Sequence, residues 1–125
     1  MIMVMTSKTI TVYGIPNCDT VKKARAWLTA QGVDYEFHDF KKLGVPEAKL
    51  GNWLQQVGWE KLVNRKGNTW RALDAATQGR VVDAASAIAV VMANSSVIKR
   101  PVVQWLGGQV TVGFDATVWD ELAKR

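Results

Sequence analysis

Cysteine and histidine occur once each in this chain of 125 residues, and proline only three times. A lone Cys18 cannot close an internal disulfide, which excludes a stapled secreted scaffold and points to a reducing compartment, the cytoplasm. One thiol and one imidazole cannot fill a four-ligand zinc site or hold an iron–sulfur cluster, so no metal is expected. Long apolar runs are missing as well. The most apolar window, residues 81–91, contains Asp83 and Ser86 and falls short of the ~20 residues a membrane span requires. The opening Met1-Ile2-Met3-Val4-Met5 has neither the charged start nor the apolar length of a signal peptide. It reads as a loosely packed extension ahead of the first strand. Like charges never run beyond pairs (Lys22-Lys23, Lys41-Lys42, Lys99-Arg100), and no nucleic-acid motif accompanies them, so direct nucleic-acid binding is not expected.

What is present is an ordinary globular composition, 48% hydrophobic and 22% charged. The length suits one domain, 1–125, able to bury roughly two-thirds of its unfolded surface without disulfide or metal. Sixteen Lys and Arg against eleven Asp and Glu give a net charge of +5, which favours an anionic partner.

Residues 9–13 alternate and are β-branched, then stop at Gly14-Ile15-Pro16-Asn17, a strand running into a turn. From Asp19 or Thr20 the period becomes helical, with Val21, Ala24, Trp27 and Leu28 on one face and an end near Gln31-Gly32. Residues 35–40 read as a second strand, parallel to the first across a helical crossover. The middle, about 45–95, is read as helical without strands. It holds a helix over 45–57 with proline in its first turn, a polar loop at 64–68, and an apolar helix, 84–93, capped by Asp83 and buried nearly all round. Residues 102–105 and 110–112 form a hairpin across a two-glycine turn, Gly107-Gly108, and a last helix over 116–122 is capped by Asp115. This order predicts an α/β (α+β) domain, a thioredoxin-like four-stranded mixed sheet. Its core is about 9–44 and 96–125, with a helical lobe at about 45–95.

Cys18 falls between the first strand and the first helix. There, free N–H groups and the positive end of the helix dipole stabilise a thiolate, and Lys22, four residues on, can add a charge. For thiols in general, a pKa falling from about 8.5 to about 6 raises the thiolate fraction at neutral pH roughly 30-fold, but intrinsic nucleophilicity drops about 13-fold. Activation therefore serves mostly to make the sulfur a good leaving group. A C-x-x-C dithiol needs Cys at position 21, which is Val21, and the phosphatase pattern needs Arg at position 24, which is Ala24. Whatever Cys18 attacks must be resolved by an outside thiol or a partner protein.

Three segments, read together, carry a resemblance: Pro16-Asn17-Cys18-Asp19-Thr20-Val21-Lys22-Lys23-Ala24; Leu62-Val63-Asn64-Arg65-Lys66-Gly67 with Trp70-Arg71; and Ile98-Lys99-Arg100-Pro101 with Val112-Gly113-Phe114. From about residue 9 to 122 the chain resembles the ArsC/Spx family of thioredoxin-fold proteins, and within it the YffB-like branch. The glutaredoxin-dependent arsenate reductases of that family use one nucleophilic Cys, corresponding to Cys18, and three Arg around the oxyanion. Two of these correspond to Arg65 and Arg100. The third falls in the hairpin, where this chain has Gln104 and Gln109 and no Arg. Losing one charge-assisted contact costs an oxyanion site about 2–3 kcal/mol. The resemblance also implies a cis Arg100–Pro101 bond.

It implies a cytoplasmic monothiol oxidoreductase in which Cys18 forms a mixed disulfide with glutathione or a protein thiol. Lys22 supports the thiolate, and Arg65, Arg100 and Pro101 line the site for a small anionic substrate; Asn17 and Thr20 read equally as residues that hold the thiolate and as turn and cap residues. No bound cofactor is implied; glutathione is the external thiol, with glutaredoxin or another protein thiol as partner. Two alternatives stand beside it: a glutathione- and glutaredoxin-dependent arsenate reductase, and an Spx-like regulator that binds RNA polymerase. His38, on the second strand and outside the shared motifs, is not expected to act. The six Trp read as packing, with Trp70 beside Arg71 the one that lines a site.

Overall fold

The computed structural model describes residues 9–124; the extension Met1–Met5 lies outside them. The β-branched run at the start forms strand β1, Ile10–Gly14, and the crossover through helix α1, Asp19–Ala30, returns the chain to β2, Tyr35–Asp39. The two strands are parallel, in register from Ile10 opposite Tyr35 to Gly14 opposite Asp39. α1 buries Val21, Ala24 and Leu28, while Trp27 is half-buried at the edge of that stripe. It ends at Gln31, and Gly32 follows with φ of 69°, the left-handed turn that glycine adopts at little cost.

Two late strands, β3 (Val102–Gln104) and β4 (Val110–Val112), complete a mixed sheet in the order β2-β1-β3-β4. β3 runs antiparallel to β1, with Tyr13 opposite Val102, and β4 antiparallel to β3. Helix α8, Ala116–Ala123, closes this part of the chain, with the Asp115 carboxylate accepting from the N–H groups of Thr117 and Val118. Ile10, Val12, Ala24, Leu28, Val103, Trp105 and Trp119 form its core. Trp119 stands edge-on to Phe114, Trp105 and Trp27, with ring centroids 4.8, 5.2 and 5.9 Å away. The buried Trp105 keeps its indole N–H satisfied by the Thr111 hydroxyl at 3.0 Å.

The hairpin turn differs from expectation. Gly108 N–H donates to the Trp105 carbonyl at 2.9 Å, so Leu106 and Gly107 sit at the turn's centre, and only Gly108, after it, has positive φ (90°). The two glycines are not a paired turn: the first stands in an ordinary turn, and the second takes the left-handed position that returns the chain to its ladder.

Residues 40–99 make up a second compact unit, separate from the one built by the strands, α1 and α8. Its helices are α2 (Phe40–Leu43), α3 (Glu47–Val57), α4 (Trp59–Leu62), α5 (Asn68–Ala72), α6 (Ala75–Arg80) and α7 (Ala84–Ala93), followed by a 3-10 turn, Ser95–Val97. Phe40, expected to end the second strand, instead opens α2; it is buried, with its ring edge-on to Trp53 at 6.4 Å. α3 starts at Glu47, after Pro46 rather than around it. The polar loop spans only 64–67, because Asn68 already begins α5. One antiparallel bridge, Val63 to Ile98, crosses the unit without becoming a strand.

Asp83 caps α7 as anticipated and shares a full capping box with Ser86. The helix is not buried all round, however. Only Ala87, Val90 and Val91 are inside, while Ala84, Ala85, Ala89, Met92 and Ala93 face outward. Alanine-rich helices look apolar on every side by composition, yet a methyl group loses little by exposure.

Trp119 anchors the aromatic cluster of the sheet unit at 1% exposure. Trp119→Ala is expected to lower unfolding stability by about 3–5 kcal/mol in urea titration, against under about 0.5 kcal/mol for the outward-facing neighbour Val118→Ala.

Candidate functional site

β1 must stop for the site to form. A side chain at Gly14 would place its Cβ 2.9 Å from Val21 Cγ2, so glycine lets the strand end close against the first turn of α1. The turn Ile15-Pro16-Asn17 then delivers Cys18 to the N-cap position in an extended conformation (φ −136°, ψ 124°), with its carbonyl accepting from Lys22 N–H at 2.9 Å. The thiol is half-buried.

Three groups meet at the sulfur. Burial pushes the thiol pKa up, but the Val21 backbone N–H, the Arg100 guanidinium (through both a hydrogen bond and its charge) and the Thr20 N–H together hold it below the ordinary thiol value. The sulfur closes no geometric capping bond of the Ser or Asp kind. The first-turn N–H groups act on it as an oriented field at the positive end of α1. Arg100 arrives from far along the chain, on a cis peptide bond to the buried Pro101, as the motif comparison anticipated. A guanidinium carries five N–H donors, so holding a thiolate leaves others for an anionic group beside it.

The remaining sequence candidates are placed as follows. Thr20 acts through its backbone N–H. Asn17 is exposed in the preceding turn, and Lys22 is exposed on α1. Arg100 supplies a cationic charge that acts on Cys18. Arg65 belongs to the helical unit, where it faces Glu60 at 3.6 Å and lies over the Trp59 ring at 5.3 Å. Trp70 is half-buried on α5, its carbonyl accepting from Gln78 Nε2 at 2.8 Å. His38 packs against Tyr13, ring centroids 4.9 Å apart. Gln104 ends β3 and Gln109 lies in the hairpin turn, where its carbonyl accepts from Trp105 N–H at 2.8 Å. The Val21 N–H is one of the first-turn N–H groups expected to stabilise the thiolate. The Gly14 gap had no place among the sequence candidates, and the glycine that ends the strand was the available signal for it. Among the described residues no His, Cys, Asp and Glu side chains converge in a metal-holding group, and no helix is long and apolar enough to cross a membrane.

The ArsC family model matches residues 13–122. The chain belongs to the ArsC family. The solved YFFB protein is 43% identical, covering 92% of this chain and 99% of its own, with a TM-score of 0.87. An arsenate reductase (ArsC) related protein from Brucella melitensis is 44% identical, covering 95% and 98% of the two chains, with a TM-score of 0.71. An uncharacterized protein of Haemophilus influenzae is 40% identical over 106 residues, 85% of this chain and 91% of its own. The ArsC-family alignment spans both Cys18 and Arg100.

With one thiol in the chain, alkylation rates report Cys18 alone. The rate against pH is expected to inflect below the ordinary thiol value. Arg100→Ala should move the inflection upward, and Lys22→Ala should leave it nearly in place. Because the folded-state pKa is the depressed one, ionised Cys18 stabilises the fold fully above the unfolded thiol's pKa, and that contribution is lost as pH falls through the folded value. Cys18→Ser should erase this pH dependence from urea midpoints.

Proposed function

We propose that this ArsC-family chain is a monothiol reductase in which Cys18 exchanges disulfides with glutathione or a protein thiol. The observation that carries the reading is the Arg100 guanidinium set on the Cys18 sulfur at the start of α1. The Cys18 thiolate attacks one sulfur of a disulfide R–S–S–R. A Cys18–S–S–R bond forms, the old bond breaks, and RS⁻ departs to take a proton from water. A second thiolate, from glutathione or a partner such as glutaredoxin, attacks the outer sulfur, and Cys18 leaves as the thiolate that its surroundings stabilise. With no second Cys in the chain, the resolving thiol comes from outside.

Arg100 supplies the charge that favours both attack and departure, and it orients a carboxylate or oxyanion of the incoming molecule. Asn17, Thr20 and Pro101 are proposed to line the site, with Lys22 a peripheral charge; Arg65, on the helical unit, is proposed as an anion-binding side chain. Glutathione is the external thiol, and no bound cofactor takes part. The cytoplasm supplies the reducing surroundings such chemistry needs. Arsenate reduction ranks below disulfide exchange because the hairpin offers Gln104 and Gln109 where a third cation is needed.

Incubation with oxidised glutathione, followed by intact mass, should show one glutathionyl group on the wild type and none on Cys18→Ser. Glutathione-dependent reduction of a small mixed disulfide should vanish with the same substitution and fall roughly 10- to 100-fold in Arg100→Ala, the scale of a lost charge-assisted hydrogen bond. Full activity in Cys18→Ser would overturn the reading. In a glutaredoxin-coupled assay, arsenate should add no NADPH oxidation.

A further inference from the structure

The net charge is not spread over the chain. Residues 40–99 hold nine Lys or Arg against four Asp or Glu, whereas the rest of the chain holds seven of each. The whole excess of +5 therefore belongs to the helical unit. All nine of its cations are exposed. Its acids are largely committed to local structure. Asp74 caps α6, Asp83 caps α7, and Glu60 faces Arg65 at 3.6 Å.

The fold gathers several of these cations. Residues 62–64, at the end of α4, pair antiparallel with 97–99: Lys99 N–H donates to the Leu62 carbonyl at 2.7 Å, Asn64 N–H to the Val97 carbonyl at 2.7 Å, and Val63 bridges Ile98. Lys61 thus stands next to the residue bonded to Lys99, and Arg65 and Lys66 continue the same segment. Lys41 reaches in from α2, with its Nζ 3.2 Å from the Ser96 hydroxyl. Lys41, Lys61, Arg65, Lys66 and Lys99 share one region, with Glu60 the carboxylate placed among them. Leu62, Val63, Val97 and Ile98 are buried beneath, which fixes the backbone that carries the charges.

We infer that this cluster is a docking surface for an acidic segment of a partner protein. Charge complementarity of this kind steers encounter and selects partners more than it adds affinity. Nucleic acid is the less favoured occupant. The cluster is small and carries an acid of its own, Glu60, and the ring beside it, Trp59, lies against the Arg65 guanidinium.

The test uses the full chain and a fluorescent deca-glutamate peptide at low salt, about 0.05 M, where surface charge is weakly screened. Binding is expected, weakening as salt rises. Lys61→Gln with Lys99→Gln should weaken it about tenfold. Lys23→Gln with Lys124→Gln, which removes the same charge from the other unit, should change it less than about twofold. Lys61→Gln with Lys66→Gln serves as a second pair should the first fail to fold. Cys18→Ser should bind like the wild type, which separates this inference from the thiol chemistry. Equal losses in the two charge-matched pairs, tighter binding of a single-stranded oligonucleotide of the same length, or no binding at all would each overturn the proposal.

Discussion

The antiparallel pairing of β3 with β1 is the constraint on which the site depends. Tyr13 lies opposite Val102, so the residues just before β3 come to the sheet end where β1 finishes. Arg100 and Pro101 precede Val102, and Cys18 follows β1 by one turn of chain. Had β3 run parallel to β1, the same sequence would carry Arg100 to the far end of the strand. The parallel β1–β2 pair plays the complementary part. Its crossover demands a helix, and that helix begins where β1 ends, placing its positive end under the sulfur. One sheet with both kinds of pairing thus brings together a helix N-terminus and a guanidinium separated by some eighty residues of chain.

The energetics at Cys18 are a contest that burial alone would lose for the thiolate. Partial removal from water favours the neutral thiol, and only the summed effect of two backbone donors and a cation reverses it. The identity of that cation matters. Lysine on a solvated helix face is screened and mobile, whereas Arg100 is half-buried with its Nε removed from solvent. A charge held in partly desolvated surroundings acts more strongly than one in water.

The sheet unit was legible in the sequence because its signals are local and periodic. Alternation marks β1, an apolar stripe marks α1, and the aspartate at 115 marks the start of α8. The short helices α4, α5 and α6 hold four to six residues each, too few to display a period, so their segments show only as an unassigned helical block. The site was half legible. Cys18 stood out by its position between strand and helix, while Lys22 drew attention through sequence proximity. Spacing alone could not bring Arg100 to the sulfur, since that neighbour is made by strand pairing; the family motif pointed to it instead.

The two units also divide the charge differently, and the reason lies in how they fold. The sheet unit holds equal numbers of acids and bases, with exposed pairs such as Lys124 and Asp120 at 2.9 Å. The helical unit is a succession of short helices, each start of which leaves N–H groups to satisfy, and two of its four acids serve that need. Such carboxylates answer the helix dipole at their own N-termini, so they do little to neutralise lysines elsewhere on the surface. A basic face is therefore compatible with a well-capped fold, and self-repulsion within it is moderated by solvent and by screening beyond about 8 Å at physiological salt. The unit bearing the thiol is electrically balanced apart from the local arrangement at Cys18, whereas the unit bearing the net charge has no thiol. Reactivity and long-range attraction thereby draw chiefly on different parts of one chain.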